Sequence, residues 1–315
     1  MTSRILCPGL VGLALLTLLT SCQQLQSVPP ETDNTVPTRS VEHAMGTAVV
    51  PIAPERVVVL DYAPLDSALA LEVAPIGRMT ILPSSLYPSS VETMPIVGTG
   101  RQPDLETILQ LQPDLILGNR RSSGQIYSKL AQIAPTVLTP DNGREGEWQD
   151  NFQLYAEALG KPEQAEQLLA DYQQRVKAVQ AALPQAPEAI AVSVIAHWSG
   201  GIVAYSADSF PGSVLKDVGF ARNPAQDAGK HYGIRLSRED LTQIDGDVIF
   251  LLHNSGSEDS VGRAEFVSNP LWSQLDAVQQ GMVCEVDSAN WSGGRSILAA
   301  NQILTDVEAC LTTAN

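Results

Sequence analysis

Several arginines stand where a folded chain could present them to an anion. Arg120 and Arg121 directly follow the apolar run "DLILGN", and two adjacent cations repel one another unless an anion or carboxylates receive them. Arg101 lies in the glycine-rich loop "GTGRQPD", and Arg235 follows a glycine in "HYGIRLS". A guanidinium group can bond one carboxylate through two parallel hydrogen bonds. We therefore predict that Arg120 and Arg121 bind an anionic, carboxylate-rich molecule; the alternative is a solvated turn with surface ion pairs.

Aromatic side chains near similar loops could cover the apolar parts of the same molecule. Trp198 and Trp291 each precede glycines, in "HWSGG" and "WSGGR", and glycine lets the backbone approach another group closely. An exposed indole covers apolar surface and donates one hydrogen bond. We predict that both tryptophans contact the ligand and that Tyr62 and Tyr205 offer oxygen atoms to it; the alternative is that the tryptophans belong to the core. Arg295, which follows "WSGG", is a weaker candidate for ligand binding than the other arginines.

Signatures of catalysis and of a protein-bound metal are missing from the sequence. There is no GxSxG elbow, HExxH pair, P-loop or GxGxxG after a strand. The histidines are scattered without a metal-binding spacing: His43, His197, His231 and His253. We therefore expect a binding protein with no cofactor and no metal site of its own. An exported α/β hydrolase, whose carboxylates come together only on folding, stays open as an alternative.

The first residues indicate export and lipidation. Arg4 precedes a short apolar run and then "LTSC", which resembles a bacterial lipoprotein box. We predict a lipoprotein signal peptide over 1–21, lipidation of Cys22 and a flexible tether over 22–40; the alternative is an ordinary secretory signal. The protein would then be anchored at the outer face of the cytoplasmic membrane or in the periplasm, touching the membrane only through its lipid.

Cysteine and charge further limit the class of protein. Outside the leader, Cys284 and Cys310 could form a disulfide in an oxidising compartment or remain two separate buried thiols. The formal net charge is −16 at pH 7. Such acidity argues against nucleic acid and anionic membrane surfaces as partners.

Strand-like apolar runs alternate with amphipathic helices along most of the chain, which is typical of α/β lobes with parallel sheets. The alternation stops at 148–183, where we predict two helices. The second is long enough, at about 1.5 Å per residue, to span a small domain. We therefore predict an N-terminal α/β lobe (41–147), connecting helices (148–183) and a C-terminal α/β lobe (184–315).

One helix-then-strand pattern occurs twice. The segments "QPDLETILQLQPDLIL" and "RLSREDLTQIDGDVIF" align Asp114 with Asp247 and Glu106 with Glu239. We predict that each glutamate lies just inside a helix N-terminus, where its charge interacts favourably with the helix dipole. Two similarly wound lobes, each with one copy, would explain the repeat.

The ordered set of segments resembles the siderophore-type substrate-binding proteins of ABC iron importers, in the ferric-dicitrate and hydroxamate branch. The segments include "PERVVVLD", "NRRSSGQIYSKLAQIAPTV", "SADSFPGSVLKDVGF" and "WSGGRSILAANQIL". This resemblance implies two Rossmann-like lobes joined by a single long spine helix, the class III periplasmic-binding-protein type. The ligand would lie in the cleft between the lobes, beyond the carboxyl ends of the strands.

The resemblance also implies a function and partners. The protein would capture a ferric siderophore or ferric citrate, hold the iron through its chelator and deliver it, as a monomer, to an ABC permease dimer with a cytoplasmic ATPase. Arg121 falls closest to an arginine that contacts the siderophore in the family. Arg101 resembles the position from which other members reach a ligand carboxylate or hydroxamate oxygen, and Arg235 is the parallel position of the second lobe. The alternative for both is an arginine that ties down its own loop. Glu106 and Glu239 correspond to the glutamates by which each lobe docks onto the permease. Haem or a corrinoid on the same fold is the alternative cargo.

Overall fold

The chain enters its fold through an antiparallel hairpin, β1 (Thr38–His43) and β2 (Gly46–Pro51). The computed structural model describes residues 36–198, 201–226, 232–237, 239–254 and 263–312. The predicted signal peptide and Cys22 therefore lie outside the described residues. Because β1 starts at Thr38, the folded region begins inside the segment predicted as a tether. Within the described ranges, no helix has the length and apolar character needed to cross a bilayer.

The N-terminal lobe is an α/β unit whose elements are, in chain order, β3 (Val57–Val59), α1 (Tyr62–Ala70), β4 (Gly77–Arg78), β5 (Gly98–Thr99), β6 (Gln102–Pro103), α2 (Leu105–Gln110), β7 (Leu115–Asn119), α3 (Arg120–Ser123), α4 (Tyr127–Ile133) and β8 (Thr136–Thr139). Four strands form a parallel sheet in the order β4-β3-β7-β8. The inner strands are buried apolar runs, as expected of a sheet covered on both faces. The carboxyl ends of these strands therefore meet at one edge.

Two helices connect the lobes, α5 (Trp148–Leu159) and α6 (Pro162–Ala182). Gly160 ends α5 in the left-handed region, with φ 75°, and a β-carbon there would collide with the Ile52 carbonyl oxygen. The buried apolar residues of α6 recur at helical spacing: Ala165, Tyr172, Val176 and Val179. The 21 residues of α6 span about 32 Å, so α6 is the long spine helix.

The C-terminal lobe is a second α/β unit whose elements are, in chain order, β9 (Ala191–Trp198), β10 (Gly201–Tyr205), α7 (Phe210–Val218), β11 (Ala221–Arg222), β12 (Gly233–Leu236), β13 (Val248–His253), α8 (Asp276–Gln279), β14 (Val283–Asp287), the π-helical turn Ala289–Gly294 and α9 (Ile297–Thr312). Its sheet has the order β12-β10-β9-β13-β14, with β11 beside β9. Strands β9, β13 and β14 are parallel, whereas β10 and β12 extend the sheet antiparallel. The two lobes are therefore similarly wound only in their parallel parts.

A disulfide and a continuous core consolidate these elements. Cys284 on β14 is bonded to Cys310 on α9, with Cα atoms 6.0 Å apart, so the disulfide alternative is the one present in the structure. The largest cluster of buried apolar side chains extends from Val57 in the first sheet through Tyr172 on the spine to Val194 in the second sheet. The lobes therefore share one core along α5 and α6.

The repeated pattern has the same structural role in both lobes. Asp114, just before β7, accepts hydrogen bonds from the amides of Glu55 and Arg56 at 2.8 and 2.9 Å. Asp247, just before β13, accepts one from the amide of Ala191 at 2.7 Å. Because β7 pairs with β3, and β13 with β9, each aspartate ties the start of one strand to its neighbour. The repeat therefore marks two equivalent strand junctions.

Candidate functional site

A cavity of about 540 Å³ lies at the carboxyl ends of the parallel strands of the N-terminal lobe. Its wall includes Asp61, which follows β3, Arg121, which follows β7, and Arg144, which follows β8. The C-terminal lobe contributes Arg295 to the same wall. The cavity thus lies in the cleft between the lobes, where open α/β sheets hold their ligands. Its volume falls in the range of roughly 300–1,000 Å³ that is typical of small-molecule sites.

Three exposed arginines of the N-terminal lobe line this cavity. Arg101 occupies the turn between β5 and β6, and Arg121 is the second residue of α3. Arg144 lies in the loop after β8, with its guanidinium carbon 5.5 Å from the centre of the Tyr232 ring. Arg121 is 3.3 Å from Glu145, in an ion pair whose side chains are 55% and 32% exposed. The wall therefore carries positive charge that a dissolved anion can reach.

Local backbone geometry places Arg121 and Arg144. The side chain of Asn119 accepts a hydrogen bond from the Ser122 amide at 2.9 Å and so begins α3 at the very end of β7. Gly143 and Gly146 take positive φ values, 74° and 91°, and let the loop around Arg144 turn. These turns hold both guanidinium groups at the edge of the sheet.

Arg295 also lines the cavity but is almost fully buried, with 3% of its surface exposed. It donates to the Asp61 carboxylate at 2.6 Å, to the Asn142 carbonyl at 2.7 Å and to the Gly293 carbonyl at 2.9 Å. Its guanidinium carbon lies 5.6 Å from the centre of the Tyr62 ring. The charge of Arg295 is therefore already received by protein groups.

The two tyrosines predicted to contact a ligand lie in or beside the cavity. Tyr62 forms part of the wall, and its hydroxyl accepts a hydrogen bond from the Leu82 amide at 2.6 Å. Tyr205 lines an adjoining cavity of about 40 Å³ together with Arg144 and Ser292. Burial raises the pKa of Tyr62 and that of Tyr205. Both phenols therefore stay protonated at neutral pH and remain able to donate hydrogen bonds.

Trp291 is fully buried, so the prediction of an exposed indole at this position is wrong. Its ring centre lies 4.8 Å from that of Phe250, and its Nε1–H donates to the Asp306 carboxylate at 2.7 Å. The glycines after Trp291 serve close packing instead: a β-carbon on Gly294 would collide with Ala299. The other predicted tryptophan, Trp198, ends β9, and its side chain lies outside the described residues.

Two predicted arginines do not line the cavity. Arg120 is exposed at the start of α3, next to Arg121 but outside the cavity wall. Arg235 is exposed on β12, the outermost strand of its sheet, and is not part of the cavity wall. The sequence patterns had missed Arg144, although "NGREG" carries the same signal as the loop of Arg101, an arginine directly after a glycine in a loop.

The cavity offers hydrogen-bond donors rather than metal ligands. Over the described part of the chain, no three His, Cys, Asp or Glu side chains come together as a metal site. The carboxylate in the wall, Asp61, is already bonded to Arg295 and to the Asn119 amide group, each at 2.6 Å. Guanidinium groups match the geometry and charge of carboxylates. The arrangement therefore suits an anionic, oxygen-rich ligand.

Comparison with known proteins assigns the chain to a family. The family described as periplasmic binding protein matches residues 57–289. The chain belongs to this family. Among similar periplasmic binding proteins, the probable siderophore-binding lipoprotein YfiY of Bacillus subtilis (strain 168) is 32% identical over 312 residues, covering 95% of each chain. The Fe(3+)-citrate-binding protein YfmC of the same strain is 30% identical over 274 residues, covering 85% of this chain and 84% of YfmC.

A solved relative shares the fold of this periplasmic binding protein. Staphylococcus aureus SirA, crystallised with staphyloferrin B, superposes with a TM-score of 0.75 at 28% identity, covering 87% of this chain and 98% of SirA. The likeness confirms the predicted fold class, two Rossmann-like lobes joined by a long spine helix, and the predicted family of substrate-binding proteins rather than enzymes.

The glutamates predicted for docking lie on equivalent parts of the two lobes of this periplasmic binding protein. Glu106 is in the first turn of α2, after the N-cap Asp104, as predicted. Glu239 lies in a turn before the 3-10 helix Leu241–Ile244, so its predicted place inside a helix is wrong. The helix begins only at Leu241, and the Asp240 side chain before it makes no capping hydrogen bond but accepts one from the Ser237 hydroxyl at 2.7 Å. Both glutamates are exposed, and their docking role stays a prediction.

Proposed function

We propose that this periplasmic binding protein captures a ferric siderophore or ferric citrate outside the cytoplasm and delivers it to an ABC importer. The observation that carries the proposal is the convergence of Arg101, Arg121 and Arg144 on one cavity of about 540 Å³ between the lobes. The names of YfiY and YfmC, a probable siderophore-binding lipoprotein and an Fe(3+)-citrate-binding protein, support the same class of cargo.

In this proposal, the arginines neutralise the negative charge of the chelate in a partly desolvated cleft. The three exposed arginines bond the carboxylate oxygens of the chelate, and attraction there is several-fold stronger than in bulk water. Tyr62 and Tyr205 add neutral hydrogen-bond donors beside them. The iron is held through its chelator, without a protein ligand, and the protein uses no cofactor of its own.

Delivery requires partners that recognise the outer surface. We assign Glu106 and Glu239, exposed on opposite lobes, to docking onto an ABC permease dimer with its cytoplasmic ATPase. The carrier acts as a monomer, anchored through lipid on Cys22. The full sequence has a formal net charge of −16, and we expect the carrier not to bind nucleic acid.

Isothermal titration calorimetry with ferric citrate, a ferric hydroxamate and haemin tests this function. Calorimetry suits the protein better than fluorescence, because the tryptophans with described side chains are buried: Trp148, Trp272 and Trp291. We expect binding of one of the first two compounds. Binding of haemin alone would favour the alternative cargo, and turnover of chromogenic esters would favour a hydrolase.

Arg121→Ala tests the arginine assignment within that experiment. Loss of a hydrogen bond from a charged donor weakens binding by about 10- to 100-fold. Arg120→Ala is the matched control, since it removes the same charge from the neighbouring residue, outside the cavity wall. Equal affinities of both variants and the wild type would remove Arg121 from the site.

A further inference from the structure

Besides the spine, the lobes meet through a second contact between α1 and the segment 292–299. Asp61, the N-cap of α1, receives the buried guanidinium group of Arg295 at 2.6 Å. Arg295 itself stands in the left-handed region, with φ 55°, and also bonds the carbonyl of Asn142 in the N-terminal lobe. A residue of the C-terminal lobe is therefore inserted into the opposite lobe and held there on two sides.

Asp66 makes a second link four residues into the same helix. Its carboxylate is fully buried and accepts hydrogen bonds from the amides of Leu298 and Ala299, both at 3.0 Å. These amides belong to the first turn of α9, where no partner exists within the helix. The first turn of a helix in one lobe is thus bonded by a side chain from the other lobe.

Close packing leaves little room for movement at this contact. The hydroxyl groups of Ser67 and Ser296 are hydrogen bonded across the lobes at 2.8 Å, and both side chains are buried. A β-carbon on Gly294 would lie 3.0 Å from the Asp66 carboxylate. These hydrogen bonds and close approaches allow only one relative position of the two segments, whereas a purely apolar contact would let them shift against each other.

We propose that Asp61 and Asp66 are positioning residues that hold segment 292–299 against α1 and so set the width of the cavity between the lobes. Asp61 and Arg295 both belong to the cavity wall, so the distance between the lobes at this contact is also a dimension of the cavity. Neither carboxylate is needed to bond an anion. Their role is to keep Arg101, Arg121 and Arg144 at a fixed distance from the opposite lobe.

Hydrogen–deuterium exchange on the unloaded full-length protein tests the proposal without any ligand. In Asp66→Asn, the amide group can accept only one of the two backbone hydrogen bonds. We expect exchange in α1 and in 292–299 to become about tenfold faster. Asp306→Asn is the matched control: this half-buried carboxylate bonds Trp291 and Gln302 within its own lobe, so α1 should keep the wild-type rate.

Ser296→Ala tests the same contact from the other lobe and keeps the proposal testable if Asp66→Asn does not fold. We expect a two- to threefold faster exchange of α1, although the change lies in the C-terminal lobe. Wild-type exchange of α1 in Ser296→Ala and in a folded Asp66→Asn would overturn the proposal.

A second experiment measures the affinity of the same variants for a ferric chelate, and it rests on the proposed function. We expect the Kd for ferric citrate, or for the chelate that the wild type prefers, to rise about tenfold in Asp66→Asn and to stay within twofold in Asp306→Asn. Equal affinities of both variants would contradict a role in setting the cavity. If the wild type binds no ferric chelate, the proposed function fails, while the exchange rates still decide this inference.

Discussion

Arg121 and Arg295 line the same cavity but differ in how firmly their charge is held. Arg121 is paired with Glu145 at 3.3 Å in an exposed position, and such pairs contribute only about 0–1 kcal/mol. Arg295 is buried with Asp61, and breaking one side of a buried pair costs about 3–5 kcal/mol. A ligand carboxylate can therefore replace Glu145 on Arg121, whereas Arg295 keeps its partner.

Glu145→Gln should tighten the binding of an anionic ferric chelate. The glutamate competes with the ligand for Arg121, and its removal should lower the Kd about two- to fivefold at low salt, where exposed charges interact most strongly. Calorimetry measures the change. Glu147→Gln removes the same charge from the same loop without freeing Arg121 and should have a smaller effect; equal changes in both variants would show that only the local charge matters.

Asp66 should make stability depend on pH near neutrality. Burial raises the pKa of this carboxyl from 3.8 to about 7, against the opposing effect of the hydrogen bonds from Leu298 and Ala299. The folded state therefore binds a proton that the unfolded state has released, and this stabilisation is lost as the pH rises through about 7. Between pH 5 and pH 8 the wild type should lose about 2–3 kcal/mol more than Asp66→Asn.

Urea unfolding at both pH values measures this difference. Groups other than Asp66 contribute equally to the wild type and the variant, so the comparison isolates this carboxyl. If the free energy of unfolding changes by the same amount in the two proteins between pH 5 and pH 8, Asp66 does not titrate in this range.

Single residues show where sequence patterns succeed and fail. The position of Arg121 follows from a strand that ends in "GN" before a helix, and the structure places it in the cavity wall. Trp291 has an equally suggestive neighbourhood, yet its indole faces Phe250 and Asp306, which are distant in sequence. Whether an aromatic ring is exposed depends on such tertiary partners, and the sequence next to it does not contain that information.

Among the secondary-structure elements, β14 and α9 are joined by the disulfide between Cys284 and Cys310, which are 26 residues apart. Replacing both by serine should lower the free energy of unfolding by about 2–4 kcal/mol, since the unfolded chain regains freedom. Neither cysteine lines the cavity, so the affinity for the chelate should stay unchanged. Chemical unfolding and calorimetry on the double variant measure the two quantities; a lost affinity would indicate that this end of the lobe shapes the site.

The parallel strands and the long helices were predictable because their apolar periodicity is strong. The runs of β7 and β13 are buried as expected, and Tyr172, Val176 and Val179 of α6 are buried at helical spacing. The hairpin of β1 and β2 and the antiparallel strands β10 and β12 were missed. These strands are partly exposed, so their apolar pattern is weaker than that of the central strands. The sheet edges that they complete become known only with the tertiary structure.

Over the whole molecule, an acidic surface surrounds a cationic cavity. The net charge of −16 repels a distant anion, but at physiological salt charges separated by more than about 8 Å are largely screened. The nearby guanidinium groups of Arg101, Arg121 and Arg144 therefore determine the interaction with a ligand inside the cleft. A protein with a net negative charge can therefore still bind an anion in this cavity.

A crystal structure of the protein grown with the ferric chelate that it binds in calorimetry tests the central claim most directly. The account predicts the chelate in the cavity of about 540 Å³, its carboxylate oxygens bonded to Arg101, Arg121 and Arg144, and the iron coordinated by the chelator alone. A chelate bound outside the cavity, or an iron ion ligated directly by side chains of the protein, would contradict it.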